Sequence, residues 1–156
     1  EDWQAAYDAE MAGDLDIAIH HYSRAIRSGE LPQRELARVF RGRGNTHYAS
    51  GDMAEALSDF ETAIRVDPTY AAALVSRGVI RHEAGDYEAA IADYDDALTE
   101  DPDYALAHAN RGNALAALGY IEDAIRDLRT AYALGYRVPW LVETLQGLDA
   151  VPEEIR

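Results

Sequence analysis

The chain has 156 residues, with 29 acidic and 14 basic side chains and a formal net charge of −15. This charge disfavours bare nucleic acid and anionic membrane surfaces as partners, and the absence of cysteine excludes disulfides and thiolate metal sites. No apolar run reaches the roughly 20 residues of a membrane span, while 48% hydrophobic residues predict one folded domain with a continuous core.

Apolar residues at helical spacing, interrupted by glycine turns, predict a succession of helices along the whole chain. Eight of them are expected at about 2–12, 15–28, 33–49, 53–66, 70–83, 87–100, 104–117 and 121–134. A ninth, RVPWLVETLQGL at 137–148, begins near Pro139 and places Leu141, Leu145 and Leu148 at helical spacing. We expect this helix to cover the open apolar end of the stack, and residues 149–156 to form a loose tail.

A repeat runs through these helices and can be measured from the glycine of each turn. The turn glycines are 38, 34 and 34 residues apart, at Gly13, Gly51, Gly85 and Gly119. Alanine follows each of them by five and by twelve residues, and a large apolar residue follows by nine. The last three copies also share a glycine seven residues before the turn, and the second and third copies share a proline seventeen residues after it. This many matched offsets indicate one structural unit used repeatedly.

Each of these regularities has a mechanical reason. A turn glycine can adopt the left-handed conformation that ends a helix. The aspartates that follow three of the turns, Asp14, Asp52 and Asp86, are expected to cap the next helix, Asp52 as part of a capping box with Glu55. The glycines before the turns are Gly44, Gly78 and Gly112, and they should let two helix axes approach closely while a large apolar side chain fills the space.

Over roughly residues 3 to 136 this pattern resembles the tetratricopeptide repeat family. The motifs that carry the resemblance are Gly44, Gly51, Ala56, Phe60, Ala63 and Pro68, with their echoes Gly78, Gly85, Ala90, Tyr94, Ala97 and Pro102. The resemblance implies an all-α fold, a right-handed superhelical α-solenoid of antiparallel helix hairpins, forming a single domain over 1–148. Its repeats would occupy about 1–32, 33–69, 70–103 and 104–136, followed by the capping helix at about 137–148.

Three hairpins carry an arginine eight residues before the turn glycine and an aspartate eight residues after it. The pairs are Arg43 with Asp59, Arg77 with Asp93, and Arg111 with Asp127. Equal offsets on antiparallel helices lie level with each other, about 12 Å from the turn. The first hairpin lacks both partners. We interpret the pairs as structural ion pairs partly buried between helices; the alternative is a row of arginines presented to an acidic ligand.

The first helix of each hairpin has a second stripe, which the resemblance places in the concave groove where family members bind peptides or partner helices. The candidate groove residues are Arg38, Arg41, Asn45, Tyr48, Val75, Ser76, Val79, His82, Leu106, Asn110 and Asn113, with Trp3, Tyr7 and Met11 near the stripe of the first repeat. None of them is acidic. Amides can bond a peptide backbone and arginines can meet a carboxylate; ordinary helix packing and a solvated helix face are the alternatives.

Some family members clamp a C-terminal carboxylate with cations and asparagines from three successive first helices. Arg41 and Asn45 match the leading pair of that clamp, whereas Ser76, Leu106 and Asn110 depart from the rest, so a chaperone-tail binder is not expected. The five histidines are scattered over helices, and no phosphate loop, calcium loop or catalytic set is identifiable. We therefore do not expect the chain to be an enzyme or to need a cofactor or a metal.

The residues favour an interaction scaffold that binds a peptide or partner helix of unidentified origin. The alternative is a structural module that self-associates without a separate ligand. The Arg-Gly repeats and the lengthened first linker resemble exported bacterial proteins, so we expect a periplasmic location, with the cytoplasm as the alternative. The start EDWQ, without an initiator methionine, is expected for a processed or shortened chain.

Overall fold

The computed structural model describes residues 2–148, and within them every regular element is an α-helix. The helices are α1 Asp2–Ala12, α2 Leu15–Ser28, α3 Gln33–Ser50, α4 Met53–Val66, α5 Ala71–Glu83, α6 Tyr87–Glu100, α7 Ala105–Ala117, α8 Ile121–Ala133 and α9 Pro139–Gly147. The eight helices predicted from the repeat are confirmed, with each end within one residue. The predicted tail 149–156 lies outside the described residues.

The turns between paired helices have the predicted glycine geometry, but their capping is less uniform. The φ angles of Gly51 and Gly85 are +85° and +82°, in the left-handed region that side chains with a Cβ rarely adopt. Only Asp86 caps its helix as predicted, by accepting a hydrogen bond from a backbone N–H of α6 at 3.3 Å. The capping bonds predicted for Asp14 and Asp52 are wrong. Asp52 instead lies 3.7 Å from His47 Nδ1.

The chain divides into two compact units, Glu1–Arg77 and Gly78–Arg156, called here the N-terminal and C-terminal units; their boundary falls within α5. In the N-terminal unit α1 packs on α2, α2 on α3 and α3 on α4. The close approach predicted at Gly44 is confirmed, because a Cβ there would lie only 2.6 Å from Phe60 Cε1. Buried alanines and Tyr22 complete the core between α1, α2 and α3.

The C-terminal unit has the same close approach at Gly78 and at Gly112, where a Cβ would lie 2.9 Å from Leu128 Cγ. A Cβ at Gly78 would lie 2.5 Å from Tyr94 Cε1, so the absence of a side chain lets the α5 backbone rest on the tyrosine ring. At the other end, Leu141 and Leu145 of α9 are fully buried in a cluster with Leu128 of α8. The predicted capping role of α9 is confirmed by this burial of apolar surface, which is favourable because it removes that surface from water.

Candidate functional site

The N-terminal unit contains a buried ion pair inside its second hairpin. Arg43 Nε and Nη2 donate to the two carboxylate oxygens of Asp59 at 2.8 and 2.7 Å. Asp59 is almost completely buried. The remaining Nη1 donates to Ser23 Oγ of α2 at 2.9 Å, so this guanidinium also ties α3 to the preceding hairpin. The fork-to-fork geometry satisfies both charged groups between the helices.

Arg111 makes the corresponding bonds in the C-terminal unit. Its Nε and Nη2 donate to Asp127 at 2.6 and 2.8 Å, and its Nη1 donates to Asp95 of α6 at 2.6 Å. These hydrogen bonds, with that to Asp127 the strongest, raise the pKa of Arg111 further above its usual range despite partial burial. His108 Nδ1 lies 3.1 Å from the same Asp127 carboxylate. This guanidinium thus has structural partners on two helices.

The middle aspartate has an arginine neighbour that the repeat pattern did not identify. Arg81 Nη1 lies 2.9 Å from Asp93 Oδ1, and the Asp93 side chain is 2% exposed. Arg81 is one helical turn after Arg77 on α5, so the i, i+4 spacing was the available signal. The pairing of Arg77 with Asp93 stays a prediction.

Three of the four predicted groove residues of the second repeat border a cavity of about 400 Å³ within the N-terminal unit, called here the N-terminal cavity. Its lining includes Trp3, Tyr7, Glu10 and Met11 of α1, Tyr22 of α2, Glu35, Arg38, Arg41 and Asn45 of α3, and Tyr70. The structure therefore brings Arg38, Arg41 and Asn45 together. Tyr48, half-buried on the same helix, is outside this lining.

One wall of the N-terminal cavity is unusually apolar for a protein surface. Trp3, Tyr7 and Met11 are 46%, 50% and 71% exposed. They follow one another at four-residue spacing and so lie on one face of α1. Large apolar side chains that are exposed as a group beside a cavity are typical of an interaction site, whereas single exposed apolar residues are common on any protein surface.

The two arginines of the N-terminal cavity differ in the bonds that they already form within the protein. Arg41 donates to Ser76 Oγ at 3.3 Å and to Tyr70 Oη at 3.5 Å, and its guanidinium lies 5.9 Å from the centre of the Tyr70 ring. Arg38 is exposed, and its side chain forms no ion pair within residues 2–148. Arg38 is therefore the cation of this cavity whose guanidinium can form an ion pair with a carboxylate of a ligand.

Acidic side chains border this cavity too, which the sequence interpretation missed. Glu10 accepts a hydrogen bond from Tyr22 Oη at 2.9 Å, and Glu35 lies on the exposed face of α3 beside Arg38. Burial, followed by the hydrogen bond to Glu10, raises the pKa of Tyr22 well above its ordinary value. Tyr22 is thus a neutral donor already used inside the protein, and Glu35 is the acid that faces solvent at the cavity.

The C-terminal unit has a cavity of its own, of about 390 Å³, called here the C-terminal cavity. It gathers four predicted groove residues with four others: Val79, His82, Asn110 and Asn113, together with Glu83, Tyr94, Tyr136 and Trp140. The repeat pattern predicts Tyr94 between packed helices and Trp140 on the capping helix, and it does not predict that either lies beside the asparagines.

Two predicted groove residues have other surroundings. Val75 is 2% exposed and belongs to the core, so its side chain offers no surface to a partner. Leu106 is half-buried and is not part of the C-terminal cavity lining. For Val75, ordinary packing, the alternative left open by the sequence, is what the structure shows.

Within residues 2–148, no group of three or more histidine, aspartate or glutamate side chains is arranged to hold a metal ion. In the same residues, no helix combines the length and apolar character needed to cross a membrane.

Several solved structures are similar to this chain. The first TPR of Spaghetti (RPAP3), bound to the HSP90 peptide SRMEEVD, is 22% identical with a TM-score of 0.69, over 72% of this chain and 90% of that one. The Arabidopsis OM64 TPR domain is 22% identical with a TM-score of 0.71, over 76% and 98%. The crystal structure of MamA is 20% identical with a TM-score of 0.75, over 92% and 80%.

At these identities the structural likeness shows the fold alone, which is that of tetratricopeptide repeat (TPR) solenoids. A comparison with curated protein sequences gives no significant match. A sequence model of the tetratricopeptide repeat matches residues 41–105 and 83–136, which together span 41–136 and so more than half of the 156 residues. The chain therefore belongs to the tetratricopeptide repeat family.

Proposed function

We propose that this chain is a non-enzymatic scaffold for protein–protein interaction that binds a peptide or a partner helix. The observation that carries the proposal is the N-terminal cavity, where Trp3, Tyr7 and Met11 are exposed beside Arg38. Large aromatic side chains and arginine are the residue types that contribute most binding energy at protein interfaces. The membership of the TPR family supports the same class of function, since its neighbours include a domain bound to a peptide.

The chemistry of the cavity indicates what a ligand should carry. An apolar side chain of the ligand would contact the α1 wall, and a nearby carboxylate of the ligand would meet Arg38. Asn45, half-buried at the same cavity, can hydrogen-bond a peptide backbone through both its amide donor and its carbonyl acceptor. The ligand class is therefore an amphipathic peptide segment with an acidic residue near an apolar anchor.

The contacts that Arg41 already makes within the protein favour a partner other than a chaperone tail. In the family's carboxylate clamp, the cation at this position is free to bind the terminal carboxylate of the ligand. Here Arg41 is already bonded to Ser76 and lies against Tyr70. Ser76 also stands where the clamp has an asparagine. The serine thus departs from the clamp and at the same time bonds the arginine that the clamp would use, and both facts argue against a chaperone tail as the ligand.

A peptide selection tests the proposal. Random peptides displayed on phage would be selected on the full chain, and the dissociation constant of a selected peptide would then be measured by calorimetry. We expect Trp3→Ala and Arg38→Ala each to weaken that peptide at least tenfold. The matched control is Arg126→Ala, which removes an exposed arginine of α8 paired only with a surface aspartate, and which should leave the affinity unchanged. Selection without any binder, or binding insensitive to both cavity variants, would contradict the proposal.

Self-association is the second candidate function, and the same exposed residues favour it. Met11 at 71% and Ile17 at 52% exposure add to the apolar surface of the first hairpin, which a second copy could cover. Sedimentation velocity over a hundredfold range of concentration distinguishes the two. A dimer that Trp3→Ala converts to a monomer would support self-association, whereas a monomer at all concentrations would leave the surface to a different protein.

A further inference from the structure

A second cavity of the N-terminal unit, of about 320 Å³, lies next to the N-terminal cavity and is called here the adjoining cavity. It is lined by Arg34 and Arg38 of α3 together with Asp67, Thr69 and Tyr70. Arg38 and Tyr70 also line the N-terminal cavity, so the two cavities share part of one wall. A ligand bound in the N-terminal cavity can therefore extend past Arg38 into the adjoining cavity.

Arg34 is, like Arg38, an exposed cation that forms no ion pair within residues 2–148. The two arginines are four residues apart on α3, and side chains at this spacing are neighbours on one face of a helix. Neighbouring like charges destabilise a helix, and the chain has 29 acidic side chains that could have relieved the repulsion. A pair of carboxylates from a ligand would relieve it.

The position of Arg34 in its helix also argues against a purely structural role. The helix α3 begins at Gln33, so Arg34 lies in the first turn, where the backbone N–H groups concentrate partial positive charge. An acidic residue such as Glu35 is favourable there, whereas a cation is unfavourable. Departures from such local preferences are expected at functional sites. A ligand therefore explains this arginine better than the stability of the helix does.

The acidic residue of the adjoining cavity is already bonded within the protein. Asp67 Oδ1 accepts hydrogen bonds from the backbone N–H of Thr69 at 3.1 Å and from its hydroxyl at 2.7 Å. In addition, Gln33 Nε2 donates to the carbonyl oxygen of Val66, which ties the start of α3 to the end of α4. These bonds fix the walls of the cavity before a ligand arrives, which reduces the entropy cost of binding. The lining has two positive charges and one negative charge, in a chain of net charge −15.

We propose that the peptide segment of the protein partner carries two acidic side chains beside its apolar anchor, and that Arg34 and Arg38 each bind one of their carboxylates. A guanidinium can hold a carboxylate through two parallel hydrogen bonds. Charges farther than about 8 Å are largely screened at physiological ionic strength, so these local cations outweigh the acidic net charge of the chain. The inference rests on the proposed function and adds to it a second charge and the direction in which the ligand leaves the N-terminal cavity.

The test repeats the phage selection on the full chain and on its Arg34→Glu variant, which should fold because an acid is favourable in the first turn of a helix. We expect peptides selected on the wild type to carry two acidic residues. Those selected on Arg34→Glu should have arginine or lysine in place of one of them. The matched control is Arg27→Glu, which should select the same acidic peptides as the wild type. Arg27 is an exposed arginine of α2 that lines neither cavity, and its reversal changes the net charge equally.

Arg34→Gln separates a binding role from a structural one. Because it removes a cation from the first turn of α3, we expect an unchanged or higher Tm. Calorimetry with a peptide selected on the wild type should show about threefold to fivefold weaker binding, the effect of losing one exposed ion pair. Replacing each acidic residue of that peptide by its amide in turn should identify one residue whose effect on affinity disappears in Arg34→Gln.

Three results would each overturn the inference: wild-type selections without paired acidic residues, the same peptides on Arg34→Glu as on the control, and an unchanged affinity of Arg34→Gln. If Trp3→Ala and Arg38→Ala weaken the selected peptide while Arg34→Gln does not, this inference is wrong and the proposed function stands. If no peptide is selected on the wild type, both are wrong.

Discussion

The ion pair between Arg43 and Asp59 should contribute strongly to stability, and a double-mutant cycle measures how much. The cycle compares the wild type with Arg43→Met, Asp59→Leu and the double variant, so that the charged groups are replaced by apolar side chains of roughly similar volume. Urea unfolding followed by circular dichroism at 222 nm gives the free energy of unfolding of each protein. The coupling energy is the difference between the summed losses of the two single variants and the loss of the double variant.

The magnitude follows from the burial of the two side chains, which are 22% exposed for Arg43 and 6% for Asp59. Arg43→Met leaves a buried carboxylate without its main partner, which should cost about 4 kcal/mol, within the range for breaking a buried pair. Asp59→Leu should cost less, about 2–3 kcal/mol, because the guanidinium is partly hydrated and keeps its bond to Ser23. The double variant leaves neither charge stranded, so we expect a coupling energy of about 2–3 kcal/mol.

The chain offers a control pair with the same short distance but full exposure. Arg126 Nη1 lies 2.7 Å from Asp123, as Arg43 Nη2 does from Asp59, yet these side chains are 73% and 53% exposed. Its coupling energy should be within about 0.5 kcal/mol of zero, because water screens the pair. If the pair of Arg43 and Asp59 couples no more strongly than this surface pair, the interpretation of a buried structural bond is refuted.

Two further predictions concern packing and pH. Gly78→Ala should destabilise the chain by about 1–3 kcal/mol despite the better helix propensity of alanine, because the new Cβ would press on the buried ring of Tyr94. Gly147→Ala, with nothing within 4 Å, is the control and should be neutral or slightly stabilising; equal urea midpoints for the two variants would contradict the argument. Stability should also fall above pH 10, because burial raises the folded-state pKa of Tyr22 and Tyr94 while the unfolded chain releases these protons near pH 10. The loss from each tyrosine should approach about 1.4 kcal/mol per pH unit as the unfolded-state phenol becomes fully ionised above about pH 11, and urea unfolding between pH 8 and 11 should show a smaller loss in the two Tyr→Phe variants.

The candidate sites were only partly predictable. Residue type and spacing identified Arg38 and Asn45 of the N-terminal cavity and Asn110 and Asn113 of the C-terminal one, because equivalent positions of a repeat point the same way. Spacing could not show that Arg41 is bonded to Ser76, since that contact depends on the distance between helices from different hairpins.

The sequence by itself determined the helices, their turns and the family, because helical periodicity, turn glycines and the 34-residue repeat are local or strictly periodic signals. It also indicated where helices approach closely, since only glycine leaves room for the rings of Phe60 and Tyr94. Only the tertiary structure decided which side chains remain available. Within residues 2–148, Val75 is buried because neighbouring helices cover it, and the Tyr94 hydroxyl has no hydrogen-bond partner because the helices around it offer none. Burial and hydrogen-bond satisfaction depend on every packed neighbour at once, which no single repeat encodes.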